Sequence, residues 1–329
     1  MRIGVFCSGG DAPGMNPCVR AVVRSAIAAG QELVGIYRGY HGLLNEDFFI
    51  NAEGQPRMLA RSVSDLSKHG GTILRSSRSQ EFRTVEGQKK AADILRKHEI
   101  DALVPIGGDG TFHGAVDLMK HWDGQIVGCP GTIDNDLIGT DYTIGFATAV
   151  QTAVEALDKL RDTAESHERM FLVEVMGRHS GYIALYTALA GGAEVVAIPE
   201  THTDIPEIIA RLHKLKDRGK KSIMIVVAEG DENGGAEKLH ADLTAANCPF
   251  QMRVLTLGHL QRGGTPAPAD RILGTLLGQF AVKSILAGHT GVMAGQIGGT
   301  LVLTPFQETF GQHKPVPPAL VNVLDEMSH

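Results

Sequence analysis

Two carboxylates two positions apart, Asp134 and Asp136, close the run Pro130-Gly131-Thr132-Ile133-Asp134-Asn135-Asp136. The run follows a short apolar stretch, Gln125 to Cys129, that reads as a buried parallel strand broken by Pro130 and Gly131. Carboxylates on a turn at the C-terminal end of such a strand stand where open α/β sheets bind ligands. One of them can accept a proton while the other faces a metal or a hydroxyl. One βα unit upstream, Gly107-Gly108-Asp109-Gly110-Thr111 joins another apolar strand to a helix. Flexible backbone there can wrap a polyphosphate, and Asp109 can hold Mg²⁺ directly or through water. A plain turn with Asp109 as a helix N-cap is the simpler alternative.

Three further segments place charged side chains after apolar runs. Ser8-Gly9-Gly10-Asp11-Ala12-Pro13-Gly14-Met15-Asn16 ends the first strand and opens the first helix. Its N–H groups can face a phosphate, or the glycines can simply pack strand on helix; the run is neither a Walker A loop nor a strict dinucleotide fingerprint. Met176-Gly177-Arg178 follows the strand Met170–Val175, where an arginine can cover charge on a phosphoryl group in transfer. Gly258-His259-Leu260-Gln261-Arg262-Gly263-Gly264 is rich in donors, and His259, Arg262, Arg253 and Arg169 together offer a clamp for a sugar phosphate. The order Gly177-Arg178-His179-Ser180-Gly181 is not a nucleophile elbow, and no His/Cys/Glu spacing fits zinc.

The elements that must position these residues alternate along the chain. Strands are expected at Arg2–Ser8, Glu32–Tyr37, Ala102–Ile106, Gln125–Cys129, Met170–Val175, Glu194–Ile198, Ser222–Val227 and Gln251–Thr256. Helices are expected at Pro17–Ala29 with proline at its first position, Gln88–His98, Phe112–His121, Phe146–Glu165, Gly181–Ala190, Ile205–Arg218 and Arg271–Leu286. Val302–Lys314 and Pro315–Pro318 read as a return connection, and Ala319–Met327 as a terminal helix. This pattern predicts an α/β protein with mainly parallel sheets covered on both faces. Two successive series in a chain of 329 residues predict two doubly wound, Rossmann-like domains.

Composition narrows the partners. A formal charge of −6 disfavours a nucleic-acid surface, so anionic ligands must meet local Arg and Lys clusters. Aromatics make up 5% of residues with one Trp, too few for a base-stacking platform. Cys7, Cys18, Cys129 and Cys248 show neither metal spacing nor a secreted framework and read as buried apolar groups in a reducing compartment. The chain enters a strand at Arg2 without a signal peptide, and no apolar run is long enough to cross a bilayer, so the expected location is cytoplasmic.

Taken together and in this order, the Thr-Ile-Asp-Asn-Asp run, the Gly-Gly-Asp-Gly turn, Met-Gly-Arg and Gly-His-Leu-Gln-Arg-Gly-Gly resemble the phosphofructokinase family, in its bacterial ATP-dependent branch, from Ile3 to about Gly288. The resemblance implies Mg²⁺-dependent transfer of the ATP γ-phosphoryl group to O1 of fructose 6-phosphate, the committed step of glycolysis. It implies an active site in a cleft between an ATP-binding domain (1–145 plus about 258–308) and a sugar-phosphate domain (146–257 plus about 309–329). Asp134 would be the base, Thr132 and Ile133 would line the same site, and Asp136 would support the metal and the phosphoryl group. Arg178 would stabilise the transition state, with Met176 and Gly177 beside the sugar. Glu229 would accept from sugar hydroxyls, and Arg169, Arg253, His259, Leu260, Gln261 and Arg262 would hold the sugar and its 6-phosphate. Arg169 and Arg253 would come from a neighbouring copy, implying a homotetramer or homodimer.

The resemblance places ATP against Gly10, Tyr40, Arg78, Ser79, Arg83, Gly108, Asp109, Gly110, Thr111 and Gly114, with Asp109 and Asp136 as metal carboxylates. Ser79 departs from the aromatic that relatives often carry there, and Arg75 from an expected small residue. Gly110 and Gly131 stand where pyrophosphate-using relatives typically have Asp and Lys. An effector site for ADP or phosphoenolpyruvate is implied at Arg161, Glu194, Arg218, Lys220 and Lys221, with Arg20 and Arg24 one turn apart on the first helix. A pyrophosphate-dependent enzyme, a lipid or dinucleotide kinase using only the Gly-Gly-Asp-Gly turn, and a non-catalytic sugar-phosphate sensor are the rival readings.

Overall fold

Short apolar runs bounded by glycine or polar residues suit strands, and longer amphipathic stretches between them suit helices. The computed structural model describes residues 1–312 and 314–327; the expected return connection and C-terminal boundary include 313, 328 and 329, which lie outside the described residues. In chain order the elements are β1 Arg2–Cys7, α1 Met15–Ala28, β2 Glu32–Ile36, α2 Gly39–Leu44, α3 Val85–Lys97, β3 Ala102–Gly107, α4 Asp109–Met119, β4 Gln125–Thr132, β5 Ile144–Gly145 and α5 Phe146–His167. There follow β6 Arg169–Val175, α6 Tyr182–Gly191, β7 Val195–Ala197, α7 Ile205–Asp217, β8 Ile223–Ala228, α8 Gly235–Ala245, β9 Gln251–Thr256, α9 Pro268–Leu286, β10 Val292–Ile297, β11 Thr300–Pro305, α10 Phe306–Thr309 and α11 Pro318–Met327. No helix among the described residues is long and apolar enough to cross a membrane.

The chain forms two compact units. The first contains Met1–Ile133, Leu137–Thr148 and the chain from Arg262 through α10; the second contains Asp134–Asp136, Ala149–Gln261 and the chain from Lys314 onward. Asp134–Asp136 thus group with the second unit, although the sequence-based boundary at 145 assigns them to the first. The first unit's sheet runs β11-β10-β4-β3-β1-β2, with β5 paired to the end of β4. Among the described residues its β10–β11 pair is antiparallel and its other strand pairs are parallel. Phe6, Leu103, Phe112 and Phe306 fill its core, with Phe112 and Phe306 stacked at 5.1 Å between ring centroids. The second unit's sheet, β7-β8-β6-β9, is wholly parallel. Met170, Leu172 and Ile225 from its strands pack on Leu212 of α7 and Leu239 of α8.

Local chemistry sets several boundaries. Thr84 accepts from Gly87 N at 3.1 Å and starts α3, and Asp204 accepts from Glu207 N at 3.0 Å and starts α7; such caps contribute about 1 kcal/mol each. Helix α1 starts at Met15, so Pro17 sits third in the helix and not first; its missing N–H costs nothing there because the first-turn donors have no intrahelical acceptor. The expected break after Cys129 does not occur: β4 continues through Pro130 and Gly131 to Thr132. On the side away from β3, β10 pairs with Val127 and Gly128 and β5 with Gly131 and Thr132, so Pro130 falls in the gap between the two ladders. The connection expected at 302–314 contains half of a hairpin, whose Gly298-Gly299 turn has positive φ at both residues (55° and 81°). Helix α8, unforeseen because it buries only a narrow Ala236, Leu239 and Leu243 stripe, has its first turn met by Glu174 Oε2, which accepts from Ala236 N at 2.8 Å.

A buried carboxylate fixes the region behind Thr132. Asp270, on α9, accepts from Gly145 N at 2.8 Å, Thr148 N at 2.7 Å and Thr148 Oγ1 at 2.5 Å. Burial pushes its carboxyl above the usual range despite these donors. Thr143 Oγ1 then donates to Thr132 O at 2.7 Å, so the end of β4 is held by the loop that Asp270 organises.

The cysteines give this fold a direct check. Cys7, Cys18 and Cys129 are buried, and Cys248 is partly exposed. Burial pushes the Cys7 thiol to about 12; a hydrogen bond with Cys129, together with burial, raises that of Cys18. At pH 8 a thiol of that pKa holds roughly one part in 10⁴ thiolate. A charged disulfide reagent should therefore label Cys248 first and reach the other three only on unfolding, and Cys248→Ser should remove the fast phase. Rapid labelling of two or more thiols in the native protein contradicts this core.

Candidate active site

In the first unit the Gly-Gly-Asp-Gly turn leads into the start of α4. Asp109 is the first residue of that helix, its side chain 54% exposed, with His113 Nε2 3.8 Å from its Oδ1. A Cβ placed on Gly110 meets no atom within 4 Å, so the surface beside Asp109 is open. N–H groups at a helix start together with an exposed carboxylate suit an anion accompanied by a cation. The turn is braced from beneath. Thr111 is buried and its hydroxyl donates to Ser8 O at 3.2 Å, while Tyr40 Oη donates to Thr111 O at 2.8 Å.

Tyr40 is itself buried and stacked on Phe82 at 3.9 Å, and burial raises its phenol well above the usual range. Gly114 leaves room for that ring, since a Cβ there would lie 2.7 Å from Tyr40 Cε2. Tyr40, Thr111 and Gly114 therefore support the turn, while Arg78 and Arg83 stand exposed and Ser79 accepts from Phe82 N at 3.2 Å. The Arg262 guanidinium lies against Gly10, where a Cβ would fall 2.1 Å from its Nη1, and donates to Asp11 O at 3.1 Å. A cation thus sits on the first glycine turn.

In the second unit a buried acid meets a cation. The Asp134 side chain is 6% exposed, and Arg178 Nε stands 3.9 Å from its Oδ2. Arg178 lies in a left-handed conformation (φ 53°) just past β6, after Gly177 at φ 141°. Ser180 N donates to Gly177 O at 2.9 Å and closes the turn. Glu229, just past β8, accepts from Arg178 N at 2.9 Å. A Cβ on Gly230 would lie 1.6 Å from Arg178 O, so the two strand-end loops pack backbone to backbone. Glu200 accepts from Gly181 N at 2.8 Å and Ser180 Oγ donates to Asp134 O at 2.8 Å. Lys314 arrives from far along the chain, its N donating to Asp136 O at 3.4 Å and its Nζ 3.4 Å from Asn135 Oδ1.

Within one copy the residues expected to clamp a sugar phosphate are spread along the sheet: Arg169 lies opposite Gln251 at the start of β9, whereas His259 lies beyond that strand's far end. Arg169 begins β6 and Arg178 follows its far end, about 20 Å away at strand rise. Arg253 pairs with Phe171 while Arg169 pairs with Gln251, so the two arginines are diagonal neighbours on one sheet face. His259 and Leu260 are exposed on the 3₁₀ turn Gly258–Arg262, but Gln261 is fully buried and its Nε2 donates to Gly258 O at 3.2 Å. Gln261 shapes the turn and does not face outward.

Of the expected effector residues, Glu194, Arg218 and Lys220 line one cavity of about 400 Å³ with Leu215, Leu324 and Met327. Lys220 pairs with the buried Glu194, whose Oε2 accepts from Met224 N at 2.7 Å. Arg161 is engaged elsewhere, donating to Gly191 O and Gly192 O at the end of α6, and Lys221 pairs with Glu168. Arg20 and Arg24 lie on α1 of the first unit. Among the described residues no group of three or more His, Cys, Asp or Glu side chains is arranged to hold a metal.

Ser180, Glu200 and Lys314 carry no motif of their own as functional residues. Ser180 lies inside a recognised segment, but its partner is a main-chain atom 46 residues away. The Lys314 contact spans 179 residues and has no local signal at all.

A family model described as Phosphofructokinase matches residues 2–285. An ATP-dependent 6-phosphofructokinase 1 of Thermus thermophilus is 52% identical over 322 residues, 98% of this chain and 98% of that protein. An ATP-dependent 6-phosphofructokinase of Cytophaga hutchinsonii is 46% identical over 99% of this chain and 98% of its own length. A phosphofructokinase structure from Saccharomyces cerevisiae superposes with a TM-score of 0.84 at 36% identity; the match covers 93% of this chain and 45% of the yeast chain. A pyrophosphate-dependent phosphofructokinase from Marinobacter aquaeolei has a TM-score of 0.83 at 22% identity over 97% of this chain and 86% of its own, a likeness of fold alone.

Proposed function

Because the chain belongs to the phosphofructokinase family, we propose that it transfers the γ-phosphoryl group of ATP to O1 of fructose 6-phosphate, giving fructose 1,6-bisphosphate and ADP in the cytoplasm as the committed step of glycolysis. The observation that carries the site assignment is the Asp134–Arg178 approach, an acid and a cation 3.9 Å apart on adjoining turns. Asp134 takes the proton of the sugar 1-hydroxyl as O1 bonds to the γ-phosphorus and the bond to the β–γ bridging oxygen breaks. Arg178 stabilises charge on the phosphoryl oxygens in flight, as phosphoryl transfer needs positioning and charge more than covalent help. Thr132 and Ile133 line the acceptor side, and Met176, Gly177 and Glu229 flank the sugar.

ATP lies along Gly108–Gly110, with Arg78, Arg83 and the Gly10 turn beside its phosphates. The exposed carboxylate of Asp109 and the open surface at Gly110 fit Mg²⁺, which keeps waters and phosphate oxygens as ligands and needs few from protein. Asp109 would hold it, with Asp136 in support, and it would neutralise phosphate charge. Arg169, at the end of β6 remote from Arg178, and Arg253, its diagonal neighbour on β9, serve the 6-phosphate in a neighbouring copy's site within a homodimer or homotetramer. Glu194, Arg218 and Lys220, which line one cavity of the second unit, bind ADP or phosphoenolpyruvate as effector.

The donor assignment rests on Gly110. Asp at that position would occupy the open space and repel a nucleotide phosphate. Gly131 carries less of the argument, because a Cβ there already meets Met15 Cε at 2.9 Å and Ile106 Cγ2 at 3.0 Å. Steady-state assays with fructose 6-phosphate, Mg²⁺ and either ATP or pyrophosphate, run with and without ADP and phosphoenolpyruvate and alongside sedimentation, test the reading. We expect higher kcat/KM with ATP, a shifted sugar-phosphate curve with one effector, and an oligomer. Gly110→Asp should keep its melting temperature and lose ATP use. A pyrophosphate kcat/KM equal to the ATP value overturns the donor, an effector-blind enzyme the regulatory site, and an active monomer the shared arginines.

The base assignment is tested separately. Asp134→Ser removes the proton acceptor and should lower kcat by about 10²–10⁴-fold with a much smaller change in sugar-phosphate KM. Near-normal kcat in that variant removes Asp134 from the role.

A further inference from the structure

We propose that Ser180 is a positioning residue for the reaction: its buried hydroxyl, donating to the main-chain carbonyl of Asp134, fixes the proton acceptor against the turn that carries Arg178. This inference rests on the assignment of Asp134 as the base. The bond is 2.8 Å long and both residues are 4% exposed, so water does not readily substitute for the hydroxyl.

The backbone at Asp134 explains the need. Pairing of β4 ends at Thr132, where its partner is Gly145, and the chain turns at Asn135 through a left-handed conformation (φ 52°). Asp134 therefore lies beyond the sheet ladder, and its buried carbonyl draws its donor from elsewhere. Ser180 supplies it from a turn that has hydrogen bonds of its own. That turn is closed by Ser180 N on Gly177 O, anchored by Glu229 on Arg178 N, and stopped by Glu200 on Gly181 N. One hydroxyl thus ties the main chain of the base to the loop whose preceding residue but one is the arginine. Loss of the tie lets the carboxylate drift relative to Arg178 and the sugar hydroxyl, and sub-ångström placement of reacting groups matters steeply for rate. The sugar-binding side chain Glu229 is untouched, so the effect belongs to kcat and not to KM.

A double-mutant cycle separates this role from a merely structural one. Ser180→Ala in the parent enzyme should lower kcat by about 10–100-fold with sugar-phosphate KM nearly unchanged. In the Asp134→Ser background, where there is no base to position, the same change should lower the residual kcat by less than about 2-fold. Ser180→Thr, which keeps the hydroxyl, should restore most of the rate, and its isostere Ser180→Val should not; this pair holds volume constant and decides the matter if the Ala variant loses its cooperative melt. Equal losses in both backgrounds, unchanged kcat in Ser180→Ala, or equal rates for the Thr and Val variants overturn the role of Ser180. Near-normal kcat in Asp134→Ser alone overturns the base assignment itself, and is read without any Ser180 variant.

Discussion

Asp134 and Arg178 carry opposite charges 3.9 Å apart, close enough to interact strongly in a site where one partner is almost fully buried, yet without the short parallel bonds of a closed Arg–carboxylate fork. That separation is useful only if it is maintained. A collapsed pair would commit both groups to each other; a wide one would lose the field of the cation at the place where charge develops. Much of the second unit's local architecture serves to hold the distance. Contacts to the Arg178 main chain do the holding: the Glu229 carboxylate on Arg178 N, the approach of Gly230 to Arg178 O, and the closed Gly177–Ser180 turn.

The first unit follows the same plan with different materials. The Asp109 turn is left open above and braced below, where Tyr40, Thr111 and Gly114 form a buried floor. Asp270 fixes the loop behind Thr132 with three donors, although burial works against its charge. Asp109, Asp134, Arg178 and Glu229 sit just past the C-terminal ends of β3, β4, β6 and β8, beyond the ladders of their strands. Side-chain-to-backbone bonds from distant segments supply the restraint.

This division explains what was legible in the sequence. The strands and most helices follow from periodicity, and the order of Asp109, Asp134, Arg178 and His259 segments follows from glycine-punctuated strand ends. The continuation of β4 through Pro130 was not legible, because proline is tolerated only where the neighbouring ladder has a gap, and that gap is set by β5 and β10. Tyr40 and Gln261, which the resemblance places against ligands, are buried, since burial is decided by neighbours such as Phe82 that no local pattern reveals. Arg169 and Arg178, nine residues apart in the sequence, lie at opposite ends of one strand, a separation that a motif list conceals. The Gly298-Gly299 hairpin, by contrast, had a readable signal in its two-glycine turn.

The central claim is that backbone packing around Arg178 sets its distance from Asp134, and Gly230→Ala tests it most directly. The added methyl would fall 1.6 Å from Arg178 O and must displace that turn while adding no charge, its nearest neighbours being main-chain atoms of Arg178 and His179. We expect a protein with native circular dichroism whose kcat at saturating ATP and fructose 6-phosphate is lower by about 100-fold. A folded Gly230→Ala enzyme with kcat within about 2-fold of the parent would show that the turn's position does not govern the reaction, and would contradict the account.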